Sequence, residues 1–320
     1  PDAWQEEPTA YLRMQTYDSG AKLPTHRDYL GSLLGLGLDR ACIGDLLQDP
    51  DDAAVFYAVV LADKALEPAV MQQVAAELKH SETAFVWQTG EGNRLRYFTP
   101  AGEVDLCGHA TVAVFALLRR LGRIEDGTHK ALTRAGALEI EVSGETVWMD
   151  MAPPKTLGIL PEESWEELYG AYGLTLEDRP ADLPPEIVST GLADIMMPVR
   201  DHETLLRAVQ DERTVTELSR RFDVTGVHMF CLGEEIVYCS NFAPLYDIPE
   251  ECATGTSNGA LTYYLYERSL VEPERENLFL QGEHMERPSR ILSRLTVQDG
   301  AVRVRIGGQA VMSLAGEMDL

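Results

Sequence analysis

One pattern occurs twice in this chain, and it limits the possible folds more than any other feature. Arg96-Tyr97-Phe98-Thr99-Pro100 is followed by Leu106-Cys107-Gly108-His109-Ala110-Thr111 and then by an apolar helix. Ser240-Asn241-Phe242-Ala243-Pro244 is followed by Glu251-Cys252-Ala253-Thr254-Gly255-Thr256 and then by a helix carrying Leu261 and Leu265. Phe98 lies nine residues before Cys107, and Phe242 ten before Cys252. Matching order and spacing predict an internal duplication: two similar halves, related by a pseudo-twofold axis, with a site where they face each other. Ala110 to Leu121 is too apolar for a surface helix, so each half is expected to enclose one.

The rest of the chain reads as mixed strand and helix. Val55 to Leu61 is β-rich, and Glu67 to Leu78 has helical periodicity. Thr83 to Gln88 and Arg94 to Thr99 read as strands joined by a turn at Gly90-Glu91-Gly92-Asn93. Leu138 to Val142 and Thr146 to Met151 read as a hairpin, and an acidic, Pro-rich stretch from Pro153 to Pro185 holds one helix. Gln281-Gly282-Glu283 and Gly307-Gly308-Gln309 read as turns. Asp28 to Leu47 alternates leucines with Gly31, Gly35, Gly37 and Gly44, a pattern expected of two short helical pieces. The expected boundaries are a helical segment over 1–54, a first half over 55–152 and a second over 153–320, with return of the last strand to the first half left open.

A length of 320 residues suits two domains. The net charge of −25 opposes a nucleic-acid or anionic-membrane surface, both of which need clustered Lys and Arg. No apolar run is long enough to span a bilayer and no signal peptide opens the chain. The five cysteines (Cys42, Cys107, Cys231, Cys239 and Cys252) form no CxxC pair, and the seven histidines form no HExxH. The expectation is a reduced cytoplasmic protein without metal.

Each repeat leads a small-residue loop onto the start of a buried helix, where backbone N–H groups and the positive dipole end suit a carboxylate. Gly108 and Gly255 leave room for a ligand to approach. Glu82, in Ser81-Glu82-Thr83 at a helix-to-strand junction, is either a solvated loop residue or an acid/base whose pKa is raised by an apolar cleft. Cys107 and Cys252 are either low-pKa thiolates forming a two-base pair or small apolar fillers. His109 either orients a substrate or caps its helix. Cys231 and Cys239 sit in strand-like runs and read as core.

These residues resemble the PhzF family of phenazine-biosynthesis-type isomerases. The similarity is carried by His80-Ser81-Glu82-Thr83-Ala84-Phe85, the two repeated segments, Ala253-Thr254-Gly255-Thr256-Ser257-Asn258-Gly259, and Gln281-Gly282-Glu283 with Arg287-Pro288-Ser289. It runs in order from about residue 55 to the end. The resemblance implies an α+β, diaminopimelate-epimerase-like fold, with each half a sheet rolled round a central helix. It also implies a homodimer without metal or organic cofactor, and proton transfer at carbon on a small carboxylic acid. Glu82 matches the family's acid/base, Gly108 and His109 its substrate-contacting pair, and Thr256 a Ser/Thr position. Ser81, Glu251, Thr254 and Gly255 complete the expected substrate-binding set. Where many members read Asp-Pro, this chain has Glu251-Cys252, so a two-cysteine racemase using Cys107 and Cys252 stands as an alternative. A catalytically silent metabolite binder is another.

The front differs from the family, which opens with a strand and a Gly-Asn-Pro turn. Here Thr25 to Leu38 and Ile43-Gly44-Asp45 resemble an internal segment of YlmH-type proteins, without their S4 RNA-binding module. Residues 1–57 carry ten acidic against four basic side chains, so RNA is not an expected partner. Whether Val55 to Leu61 replaces the missing strand is left open, because a half-barrel lacking it would expose a sheet edge.

Overall fold

The computed structural model describes residues 41–47 and 58–318. In chain order these form β1 (Ala41–Leu47), β2 (Ala58–Ala62), α1 (Pro68–Leu78), β3 (Thr83–Thr89), β4 (Gly92–Phe98), β5 (Glu103–Val104) and α2 (Gly108–Arg120). β6 (Gly127–Thr133), β7 (Gly136–Ser143) and β8 (Thr146–Asp150) follow. Next come β9 (Lys155–Ile159), α3 (Trp165–Gly170), β10 (Glu186–Ser189), β11 (Ala193–Pro198), α4 (His202–Leu206) and α5 (Glu212–Phe222). The chain ends with β12 (Gly226–Leu232), β13 (Ile236–Ala243), β14 (Ile248–Glu251), α6 (Gly255–Tyr266), β15 (Glu276–Gln281), β16 (Ser289–Gln298), β17 (Ala301–Gly308) and β18 (Val311–Met318).

Two compact units result. One gathers the described residues up to Met149 with those from Gln309 onward; the other is Asp150–Gly308. In the first unit β1 pairs antiparallel with both β18 and β2, β2 runs parallel to β3, β3 antiparallel to β4, and β4 parallel to β6. β7 and β8 continue antiparallel. The parallel step from β2 to β3 needs a crossover. α1 supplies it, seating Met71, Val74, Ala75 and Leu78 against Ala58, Val60, Phe85 and Phe98.

The second unit repeats the plan. β10 pairs antiparallel with β9 and β11, β11 runs parallel to β12, β12 antiparallel to β13, β13 parallel to β15, and β16 and β17 continue antiparallel. α4 and α5 make the crossover here. β9 thus occupies the place in the second unit that β18 occupies in the first. In both units a short strand, β5 or β14, pairs with the strand leading toward the central helix.

The central helices explain the curvature. In α2, Ala110 to Phe115, Leu117 and Leu118 are all buried, a set that covers every face of a helix. α2 accordingly lies against β1, β2, β3, β7 and β18, strands spread across its sheet. α6 buries Ser257 to Thr262, Tyr264 and Leu265, and lies against β10, β11, β16 and β17.

Three expectations need correction. Ala41–Leu47, expected in a helical piece, is a strand, because the open edges of β2 and β18 offer backbone partners on both sides. It supplies the strand whose absence the sequence suggested; the rest of the expected helical segment and most of the YlmH-like stretch fall outside the described residues. The Pro-rich stretch contains strand β9 as well as helix α3. Gly307 and Gly308 belong to β17, with Gly307 opposite Leu292.

Phe115 is fully buried in α2. Phe115→Ala is expected to lower unfolding stability by about 3–5 kcal/mol, measured by urea denaturation, because the enclosing sheet cannot collapse onto the gap.

Candidate active site

In the first unit, α2 starts at Gly108 behind Cys107, an extended cap residue (φ −136°, ψ 112°) whose side chain makes no capping bond. An α-helix leaves its first N–H groups without intrahelical partners, so this end presents donors and a positive dipole. The start is held from inside. The Tyr97 hydroxyl donates to Thr111 Oγ1 (2.6 Å), and Thr111 donates to the Cys107 carbonyl (2.7 Å).

Glu82 sits just before β3, where its carbonyl accepts from the Ala58 N–H (3.4 Å). Its carboxylate Oε2 lies 3.4 Å from His109 Nε2, in the first turn of α2. The two side chains are 21% and 20% exposed, so the pair is reached from solvent but mostly enclosed. Cys107 is buried beside them, and one donor atom from each of Glu82, Cys107 and His109 lies within 4.8 Å of the other two.

Burial alone would raise the Glu82 pKa, as the sequence suggested. The hydrogen bond and charge of His109 and a hydrogen bond from Ser81 outweigh it, and the carboxyl ends below its usual value. Burial likewise opposes a charge on His109, but Cys107 and Glu82 together raise its pKa well above that of a free imidazole. Burial pushes the Cys107 thiol up. Glu82 therefore faces His109 as a carboxylate whose hydrogen bond favours a protonated ring, and a low-pKa thiolate at Cys107 is not what the burial supports.

In the second unit α6 starts at Gly255 behind Thr254, again extended (φ −132°, ψ 102°) and again without a side-chain cap bond. Here a polar network fixes the start. The Thr254 hydroxyl donates to Glu251 Oε2 (2.5 Å) and accepts from Gln281 Nε2 (3.0 Å). Gln281 also donates to the Glu251 carbonyl (2.6 Å), and Asn258 Nδ2 donates to Gln281 Oε1 (2.7 Å) and the Thr254 carbonyl (2.8 Å). The Thr256 carbonyl accepts from Thr190 Oγ1 (2.7 Å). Ser257 donates to Asp194 Oδ2 (2.6 Å) beneath the first turn. Cys252 is buried against Gly282, whose φ of +95° suits glycine; a Cβ there would also fall 2.4 Å from the Arg287 carbonyl.

The structure thus gathers Ser81, Glu82, Cys107, Gly108 and His109 at one helix start, and Glu251, Cys252, Thr254, Gly255 and Thr256 at the other. Sequence reasoning missed Asp194, Asn258 and Gln281. Asp194 did leave a signal, being the one acid in the apolar run Ala193-Asp194-Ile195-Met196-Met197. Gln281 reads as part of a turn in the sequence, yet it ends β15 fully buried.

This is the architecture of isomerases and epimerases. A protein described as a predicted epimerase from Pseudomonas aeruginosa superposes with a TM-score of 0.70 at 26% identity, covering 88% of this chain and 99% of that one. The PhzF-family phenazine biosynthesis protein of Bacillus anthracis does so at 0.78 and 25% identity, over 88% of this chain and 99% of its own. The sequence profile of PhzC-PhzF, phenazine biosynthesis-like protein, matches residues 55–316, and the chain belongs to that family. An uncharacterized isomerase of Deinococcus radiodurans is 34% identical over 272 residues, 81% of this chain and 87% of the relative. The chain is an isomerase. Among the described residues no helix is long and apolar enough to cross a membrane.

Burial pushes the Asp194 carboxyl up to about 6, the Ser257 bond pulling the other way. A carboxyl raised in the folded state contributes stability that is fully present below the ordinary aspartate pKa and lost as pH climbs through the folded value. Between about pH 4 and 6.5 the wild type should lose on the order of 1–3 kcal/mol from this group. Asp194→Asn should flatten that decline in urea unfolding curves recorded across the range.

Proposed function

We propose that this isomerase moves a proton at carbon on a small carboxylic acid, with Glu82 as general acid/base. The observation carrying the proposal is the position of Glu82: a largely enclosed carboxylate, 3.4 Å from His109, beside the start of a buried helix. The N–H groups at Gly108 suit the substrate carboxylate. Holding it there would withdraw electron density from the neighbouring carbon and make its proton more acidic.

Glu82 rests ionised, so it acts first as base. A carboxylate with a lowered pKa is a weak base. Substrate that displaces water from around it would strengthen it by desolvation, the effect that already opposes its charge in the free enzyme. The His109 imidazolium then stabilises the anionic substrate as the proton leaves carbon, and Glu82 returns that proton to a second position or to the other face. The chemistry needs only side chains and backbone donors. Dihydroaromatic acids and amino acids are the classes to test.

The helix start at Gly255 is proposed as a second carboxylate-binding element. A Cβ on Gly255 would meet only Ile306, at an ordinary 3.5 Å, so packing does not demand glycine there. Thr254 and Thr256 flank it, with Thr254 oriented by Glu251 and Gln281. Burial argues against thiolate catalysis at Cys107, and the carboxylate mechanism is preferred over the two-cysteine one.

The test is solvent deuterium uptake at carbon, followed by NMR over a panel of dihydroaromatic acids and amino acids. Glu82→Gln is expected to slow uptake by about 10²–10⁴-fold while Cys252→Ala leaves it near wild type. Uptake that survives Glu82→Gln, or is abolished by Cys252→Ala, would reject Glu82 as the base. A folded wild type that exchanges no compound would favour a silent metabolite binder.

A further inference from the structure

We infer that Glu82, Cys107 and His109 form an inhibitory binding site for one soft divalent cation of the zinc class. The three residues offer a carboxylate oxygen, an imidazole nitrogen and a sulfur, all within 4.8 Å of one another. Tetrahedral zinc with such ligands holds its donors about 3.3–3.6 Å apart, given bond lengths near 2.0–2.3 Å. Glu82 Oε2 and His109 Nε2 already stand at 3.4 Å. Cys107 needs a shift of no more than about 1.5 Å, within reach of a side-chain rotation.

Donor chemistry selects the metal. A thiolate and an imidazole favour zinc and its neighbours, whereas calcium and magnesium require a shell of oxygens that this centre lacks. Charge favours the complex as well. A buried thiolate alone would be costly, but one thiolate, one carboxylate, a neutral imidazole and a divalent cation sum to zero. On binding, the Cys107 thiol and the His109 imidazolium each release a proton to solvent, and no electrons move. Three protein ligands leave the fourth position for water, on the side from which Glu82 and His109 are reached.

A bound cation takes the carboxylate oxygen that faces His109, so it would stop proton transfer and be reversed by a chelator. That consequence rests on Glu82 being the base; the metal site does not.

The probe is cobalt(II), added to chelator-treated full-length protein. One equivalent should produce tetrahedral visible bands and a thiolate-to-cobalt charge-transfer band, and one equivalent of zinc should remove both. Cys107→Ser should abolish the charge-transfer band, and Glu82→Gln should keep the band but weaken binding at least about tenfold, as loss of one ligand demands. Cys252→Ser, with the thiol at the other helix start removed, should leave the spectrum unchanged. Circular dichroism checks that each variant is folded; should Cys107→Ser fail to fold, Glu82→Gln and His109→Gln carry the comparison. Absence of a charge-transfer band at one equivalent would overturn the proposal, as would a band that survives Cys107→Ser or binding unaffected by Glu82→Gln and His109→Gln. Cobalt binding as expected, in a protein whose deuterium exchange ignores zinc, would keep the metal site and reject Glu82 as the base.

Discussion

A helix that is apolar on every face must be enclosed, and the enclosure of α2 sets the form of the first unit. Ala110 to Phe115 present buried side chains all round the axis, so no flat sheet could cover them. The curled sheet does so with strands from β18 and β1 through to β7. A rigidly packed helix has a rigid end. The Tyr97–Thr111–Cys107 hydrogen bonds fix that end from within, and Glu82 meets it from the neighbouring strand junction. The positions of the acidic oxygen, the imidazole and the helix N–H groups thus follow from packing the core.

The same device serves the second unit with different chemistry. α6 also starts behind an extended cap residue, but its surroundings are the hydroxyl of Thr254, the amides of Asn258 and Gln281 and the carboxyl of Glu251, with Asp194 beneath Ser257. A network in which each donor has an acceptor fixes the orientation of its groups. One duplicated scaffold therefore carries a carboxylate–imidazole–thiol cluster in one copy and a network of hydroxyls, amides and acids in the other.

Much of this was legible in the sequence because it lies in local pattern. The repeated Phe-to-Cys spacing predicted two units of one topology, and the apolar run after His109 predicted a central helix. The family motifs named Glu82, Gly108 and His109. What was not legible depends on partners far along the chain. Ala41–Leu47 reads as helical from its leucines and glycines, and becomes a strand only because β18, some 270 residues later, pairs with it. The sign of the Glu82 shift was missed for a similar reason: its position suggests burial, and only the fold brings His109 close enough to reverse the effect. Gln281 looked like a turn residue because its partners, Thr254 and Asn258, lie on another element.

The central claim is that Glu82 and His109 rest as an ion pair at the start of α2. Side-chain NMR on chelator-treated protein, labelled with nitrogen-15 in histidine and carbon-13 in glutamate, tests it most directly. At neutral pH the account predicts both ring nitrogens of His109 protonated and the Glu82 carboxyl carbon at a carboxylate shift, each assigned by loss of its signal in His109→Gln or Glu82→Gln. A neutral His109 ring beside a protonated Glu82 would contradict it.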